Sequence, residues 1–269
     1  MSEVIVPVFN AAPYLQRCLQ SLLEHSESHQ RYLLIDDAST DPRVTELLAE
    51  FCARRTHARM LRNDQNLGFV GTTNRAMDLT DQDVVLLNSD TEVTAGWLQA
   101  LERCAESDPN IATATPFSNN AEICSLPEFC VNNPMPDGSA DWSDAVNRCN
   151  SQQYPELPTG VGFCLFIRRR ALTELGLFDP CFGRGYGEEN DFCRRAANAG
   201  WRNVLCDNAF VAHSGGRSFA PVNITPNGEN LRILLERHPD YERLVADFIA
   251  QDPIRPIREA IVANYQQTL

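Results

Sequence analysis

Short apolar runs alternate with amphipathic helical stripes from residue 4 to residue 87, and that rhythm limits what this chain can become. Residues 4–9 begin a strand, and residues 10–13 turn out of it into a helix with Leu15, Cys18, Leu19 and Leu22 at i, i+3, i+4 and i+7. Tyr32-Leu33-Leu34-Ile35 is the next apolar run, followed by a helical stripe of Val44, Leu47, Leu48 and Phe51 over residues 42–55. A short strand at Arg59-Met60-Leu61, a helix near 70–79 and a strand at Val84-Val85-Leu86-Leu87 continue the pattern. Regular alternation of this kind predicts an α/β fold, with a mostly parallel central sheet covered by helices on both faces.

The ends of these strands carry the chemistry. Three of them run straight into polar residues: Asn10, Asp36-Asp37 and Asn88-Ser89-Asp90. In a parallel sheet those ends lie on one edge, where open α/β sheets bind ligands. Asp90, one step beyond the last apolar residues of its strand, is placed to hold a hard cation that in turn holds a phosphate. Taken singly, Ser89, Asp90 or Thr91 could equally cap a helix running through Trp97 and Leu101. Three polar ends on one edge make a site.

The second half changes character. Residues 116–158 are rich in Asn, Pro, Ser and Asp and read as a long, partly irregular connection over the crevice. A glycine-led strand follows over 159–167, and Arg168-Arg169-Arg170 reads as a solvated edge without function. Gly183, Gly185 and Gly187 then permit a loop that bends close to a ligand. It delivers Glu188-Glu189-Asn190-Asp191 to the first turn of a helix faced by Phe192, Ala196 and Ala199. Acidic residues in a first turn favour the helix dipole in any protein, but the glycine loop ahead of them is not explained that way. Short strands at 204–205 and 210–212 lead to His213, Ser214 and two glycines. After residue 226, apolar spacing at Leu231, Leu234, Leu235, Leu244 and Phe248 predicts two or three C-terminal helices for packing or interaction.

A net charge of −13 argues against a nucleic-acid binder and against a polybasic membrane-surface protein. No stretch has the roughly 18 apolar residues of a transmembrane helix, and no signal peptide is recognisable at the N-terminus. Ten cysteines include no CxxC pair, which disfavours a zinc ribbon or a thioredoxin-type motif. They read as reduced thiols of a cytoplasmic protein, with a disulfide among Cys124, Cys130 and Cys149 left open. Neither GxGxxG nor GxxxxGK[ST] follows the first strand, so dinucleotide-binding and phosphate-loop folds are disfavoured.

The segments VPVFNAAPYL, IDDASTD, NLGFVGTTNRAM, LLNSDTEV, GYGEENDFCRRAANAGW and HSGGRSF, taken together and in this order, resemble the family 2 glycosyltransferases of the GT-A fold, of the bacterial type that builds surface polysaccharide. The resemblance spans residues 3 to 219. It implies a GT-A domain over 1–222, with a donor half at about 1–115 and an acceptor and catalytic half at about 116–222, and a C-terminal helical extension over 223–269. The implied reaction is an inverting transfer of a sugar from a nucleoside diphosphate to the hydroxyl of a glycan or lipid-linked glycan acceptor, assisted by a divalent cation. By position, Pro7, Phe9 and Asn10 would line the nucleoside pocket and Asp37 would bond the nucleobase. Asn66, Gly68, Asn74, Asn88 and Ser89 would belong to the donor site. Asp90 and His213 would hold the metal, Mn2+ or Mg2+, the histidine tilting the choice towards manganese. Asn88 stands where the family's Asp-x-Asp motif has its first carboxylate. Glu189 aligns with the catalytic base, with Asp191 second and Glu188 third. The implied setting is the cytoplasm, with peripheral association at the inner face of the membrane left open.

Two other classes compete. A non-catalytic sugar-nucleotide or glycan-binding module would keep the donor pocket without a working base, and Glu189 argues against it. A nucleotidyltransferase would carry a Gly-rich N-terminal loop with nearby Arg and Lys, where this chain has Val6-Pro7-Val8-Phe9-Asn10.

Overall fold

The computed structural model of the protein describes residues 2–149, 151–215 and 228–267. The end of the HSGGRSF segment at 216–219 and the boundary at 222/223 lie outside them.

The expected alternation is present. β1 (Glu3–Val8), α1 (Ala12–His25), β2 (Arg31–Asp36), α2 (Pro42–Arg54), β3 (Ala58–Arg62), α3 (Gly68–Asp78) and β4 (Val84–Leu87) follow one another, and the four strands pair in parallel in the order β3-β2-β1-β4. Side chains alternate between the two faces of a strand. Val4, Val6 and Val8 therefore enter one buried cluster while Ile5 enters the other, and Val85 and Leu87 part from Val84 and Leu86 in the same way. Both faces are apolar because both are covered.

Beyond β4 the sheet turns mixed. β5 (Thr91–Val93), α4 (Trp97–Ser107), β6 (Ile111–Phe117), α5 (Ser139–Cys149), β7 (Cys164–Ile167), α6 (Arg169–Leu175), α7 (Glu188–Asn198) and β8 (Arg202–His213) follow in the chain. The sheet continues from β4 as β7-β6-β8-β5, with β7 antiparallel to both neighbours, β6 parallel to β8 and β5 antiparallel to β8. Three helices close the chain: α8 (Glu229–Arg237), α9 (Tyr241–Gln251) and α10 (Arg255–Gln266).

Several expectations are corrected here. Residues 89–91 cap no helix: Thr91 opens β5, and α4 starts after Gly96, whose φ of 75° supplies the turn. The polar connection over 116–158 contains the end of β6 and the helix α5, whose Trp142 stacks on Tyr265 of α10 at 3.9 Å. The two short strands expected around 204–212 are one strand of twelve residues, interrupted in pattern by buried Asn203, Asp207 and Asn208. Most of those polar atoms are paired, while Asp207 Oδ1 is buried without a hydrogen-bond partner. Asn203 donates to the Cys193 carbonyl, and Asp207 accepts from Ser151 Oγ and the Gln153 N–H.

The arginine run is not a solvated edge. Arg168 donates to the carbonyls of Ile111, Ala105 and Asp108, Arg169 donates to those of Gln82 and Met77, and Arg170 lies over the Trp201 ring. Guanidinium groups suit this work because their forked donors bind several carbonyls at once. All ten cysteines are free thiols, so none of Cys124, Cys130 and Cys149 is bridged.

Candidate active site

The register of β5 on β8 builds one wall of the site. Thr91 pairs with His213, and the Ser214 N–H donates to the Asp90 carbonyl at 3.0 Å, so Asp90 and His213 emerge side by side. His213 Nδ1 lies 2.7 Å from the Asn120 carbonyl. A carbonyl can only accept, so Nδ1 carries the proton and Nε2 presents a lone pair. That lone pair faces Asp90 Oδ1 at 3.5 Å. Asp90 is buried, and its Oδ1 has no hydrogen-bond partner. A buried carboxylate oxygen without a donor is costly unless a cation completes it. Phe163 stacks on the His213 ring at 5.2 Å and fixes its plane.

The opposite wall is the start of α7. Glu188 and Glu189 both line a cleft of about 360 Å³ together with Asn88, Asp90, His213, Asn120, Glu122, Asn132, Phe69, Tyr186 and the backbone of 161–163. Helix geometry places adjacent side chains roughly 100° apart, yet Glu188 and Glu189 both face the cleft at the open first turn that follows Gly187. Gly162 faces Glu189: a Cβ there would stand 3.5 Å from Glu189 Oε1. Cys193 Sγ accepts from the Gly160 N–H at 3.2 Å and Asn190 accepts from Thr159 Oγ1 at 2.7 Å, which seats α7 on the 159–163 segment.

Burial decides the electrostatics. The place of Glu189 at a helix N-terminus predicts that it is ionised at neutral pH. The backbone N–H groups there do favour the charged form, but burial outweighs them and pushes Glu189 up to about 7. Burial raises Glu188 well above the ordinary range, and the charge of Glu189 adds to it. Glu122, partly open to the cleft, is also raised by the protein packed around its carboxyl. The cleft therefore gathers four carboxyl groups and one imidazole without a balancing cation among its lining residues.

Other expected residues go elsewhere. Asp191, ranked second as base, does not line the cleft. It is 1% exposed and bonded to Arg195 Nε at 2.7 Å and His238 Nε2 at 3.0 Å, a structural ion cluster. Asn74 spends its amide on the backbone of Phe178, both accepting and donating. Asp37 is buried, and its oxygens take Asn63 Nδ2 and the N–H groups of Leu67 and Gly68, so it holds the loop leading into α3. Asn10 Oδ1 accepts from the N–H groups of Thr40 and Asp41 and ties the β1 end to the β2 end. Asn66 donates to the Asp37 carbonyl and keeps a buried Oδ1 without a partner. Gly68, with a φ of 73°, lies under the glycine loop, where a Cβ would come within 2.8 Å of Arg184 Cα. Pro7, Phe9 and Ser89 sit at the strand ends but do not line the 360 Å³ cleft. Glu122, Asn120 and Asn132 are site residues that the sequence did not single out; their only signal was their place in a polar segment read as lying over the crevice.

Among the described residues no group of three or more His, Cys, Asp or Glu side chains could hold a metal ion. Asp90 and His213 form a two-residue set, and the orphaned Oδ1 with the aimed Nε2 lone pair fits a divalent cation whose remaining positions are filled from outside the protein.

A family model described as glycosyl transferase family 2 matches residues 3–176, well over half of the chain. The chain belongs to glycosyl transferase family 2. It is 25% identical over 276 aligned residues to an N-acetylglucosaminyl-diphospho-decaprenol L-rhamnosyltransferase of Mycobacterium tuberculosis, covering 89% of this chain and 86% of that protein. Its fold is that of solved GT-A glycosyltransferases. It superposes on GalNAc-T7, solved with UDP, GalNAc and Mn2+, with a TM-score of 0.67 and 18% identity, over 98% of this chain and 55% of the other. The match to S. aureus TarS 1-349, solved with UDP-GlcNAc, has a TM-score of 0.64 and 15% identity, over 93% and 72% of the two chains. This glycosyltransferase chain therefore spans about half the length of GalNAc-T7. No described helix is long and apolar enough to cross a membrane.

Proposed function

We propose that the chain transfers a sugar, with inversion, from a nucleoside diphosphate to the hydroxyl of a lipid-linked or polymeric glycan, with Glu189 as base and Asp90 and His213 as the protein ligands of a divalent cation. The observation that carries this reading is the pairing across one cleft of an orphaned carboxylate–imidazole set with a buried carboxylate poised near neutrality.

The chemistry follows from where each group stands. Near its midpoint, a carboxylate is basic enough to take a hydroxyl proton and still ionised in a useful fraction. As the acceptor oxygen bonds to the anomeric carbon, its proton passes to Glu189 and the bond from that carbon to the diphosphate oxygen breaks on the opposite face. Glu189 later releases the proton to solvent. Asn88, Asn120 and Asn132 offer amides for sugar hydroxyls, and Phe163 holds the His213 ring in place. A divalent cation held by Asp90 and His213 would neutralise charge building on the departing diphosphate. The loop organised by Asp37, with the free Oδ1 of Asn66, is the candidate cradle for the nucleobase. The lipid-linked acceptor is drawn from the mycobacterial relative, whose name specifies a diphospho-decaprenol substrate.

A thermal-shift screen of nucleoside diphosphate sugars with Mn2+, Mg2+ or chelator tests the donor site, since a ligand that binds only the folded state must raise its melting temperature. Stabilisation by a sugar nucleotide with metal and none with chelator is expected. Equal stabilisation with chelator would remove the cation from the reading, and absence of turnover with a bound donor and a range of acceptors would favour a binding module.

A further inference from the structure

We infer that helix α8 and its C-terminal cap position the catalytic carboxylate, by holding the loop before it through Asn230 and the residue Asp191 after it through His238. The inference rests on Glu189 being the base.

Glu189 lies between two segments whose placement is not self-determined. Before it, residues 183–187 hold Gly183, Gly185, Tyr186 and Gly187 at φ of 57°, 126°, 71° and 110°. The glycines make the loop conformationally free, and Tyr186 at positive φ persists only where its surroundings over-determine it. The loop carbonyls of Phe182 and Gly185 both receive Asn230 Nδ2, at 2.9 and 2.8 Å. One amide of α8 thus pins two points of the loop that delivers Glu188 and Glu189.

After Glu189 comes Asp191, which is 1% exposed. A buried carboxylate must be paired or it forces the structure open. Arg195 holds one oxygen from within α7 itself. The other oxygen is held from α8, by His238 Nε2 at 3.0 Å and Arg237 at 3.5 Å. Because the Asp191 N–H also closes the first turn onto the Gly187 carbonyl at 2.8 Å, fixing Asp191 fixes the turn that carries Glu189.

Asn230, Leu234 and His238 recur at i, i+4 and i+8, so one face of α8 makes all these contacts. Leu234, buried between the two polar anchors, packs in the cluster that contains Phe182 and Phe192. A helix of this length reaches about 12 Å, enough to touch the loop with its first turn and the start of α7 with its end. None of this lies in residues 3–176, where the family model matches.

The test uses the full chain carrying Asn230→Ala, His238→Ala, His238→Gln or Glu189→Gln. Turnover is measured on whichever UDP-, GDP- or dTDP-sugar the wild type consumes, affinity with UDP plus Mn2+, and backbone mobility by hydrogen exchange of peptides spanning 183–191. Loosening the first turn by about 1 Å should lower kcat roughly 10- to 100-fold in both alanine variants. The donor KM and UDP–Mn2+ affinity should stay close to wild type, exchange over 183–191 should quicken, and His238→Gln, which keeps an N–H donor, should recover most of the lost kcat. Wild-type kcat and exchange in both alanine variants beside an inactive Glu189→Gln would overturn the inference alone. So would loss of UDP–Mn2+ affinity in step with kcat and melting temperature, because α8 would then merely hold the fold. Wild-type turnover in Glu189→Gln would instead overturn the assignment of the base, on which the inference stands.

Discussion

Thr91 stands opposite His213 in the antiparallel pairing of β5 with β8, and this register sets His213 Nε2 3.5 Å from Asp90 Oδ1. A one-residue slip of either strand would turn its side chains to the other face of the sheet and part the two residues. The proximity of Asp90 to His213 is therefore a product of strand pairing, and the proposed metal role of the two can be tested separately from the pairing.

Asp90→Ala should abolish the dependence of UDP binding on Mn2+, and His213→Ala should weaken Mn2+-dependent binding by at least roughly 10-fold. Calorimetric titration of UDP with Mn2+ and with chelator reads both. Ligand-free melting temperatures should change little for His213→Ala; a large drop would make His213 a packing residue. Asn88→Asp, adding a carboxylate to the same wall, should tighten the metal.

Glu189→Gln should lower turnover by roughly 10²–10⁴ with donor affinity nearly unchanged. In the wild type, kcat should rise with pH through about 7, where Glu189 loses its proton. The pH–rate profile of Glu189→Gln should lack that limb.

The same carboxyl pair makes the folded chain less stable at higher pH. Glu188 and Glu189 both titrate in the unfolded chain near the ordinary 4.5; in the folded chain burial pushes Glu189 up to about 7 and raises Glu188 well above its ordinary range. Between those values the folded state binds more protons, so stability falls as pH rises across that window. Melting temperatures at pH 5.5 and pH 8 should therefore differ less in a Glu188→Gln, Glu189→Gln double variant, which should also melt higher than wild type at pH 8.

Gly68→Ala places a Cβ 2.8 Å from Arg184 Cα on a backbone with a φ of 73°. The substitution should cost about 1–3 kcal/mol in chemical denaturation and should displace the glycine loop, lowering kcat as well.

Arg168→Met should destabilise the fold by about 3 kcal/mol, since it takes the guanidinium away from the carbonyls of Ala105, Asp108 and Ile111 where α4 leads into β6. UDP–Mn2+ affinity should be retained, which distinguishes this clamp from the site residues.

The β–α half of the fold was legible because its strands are buried on both faces and read as unbroken apolar runs, as Val84 to Leu87 do. β6 and β8 were not, because buried Thr113, Thr115, Asn203 and Asp207 interrupt their runs with polar groups whose partners are brought up only in three dimensions, as Asn203 Oδ1 is to Thr113 Oγ1 at 2.8 Å. Within the site, Asp90, His213 and Glu189 were legible because each stands at an element end. The environment of Glu189 was not: the helix dipole is a local property visible in sequence, whereas the burial that outweighs it comes from distant segments. Asp191 misled for the same reason, since its partner His238 is separated from it by 47 positions.

The stacking of Trp142 on Tyr265, and the entry of Ile254, Ile257 and Ile261 into the cluster that contains Val4 and Leu34, have a consequence for biosynthesis. A ribosome-bound chain that has emerged only to β8 would hold Asp90 beside His213 but would still present Trp142 to water and leave Asp191 without its imidazole. The cover over Trp142 and the anchor of Asp191 would be in place only once α8 to α10 have been made.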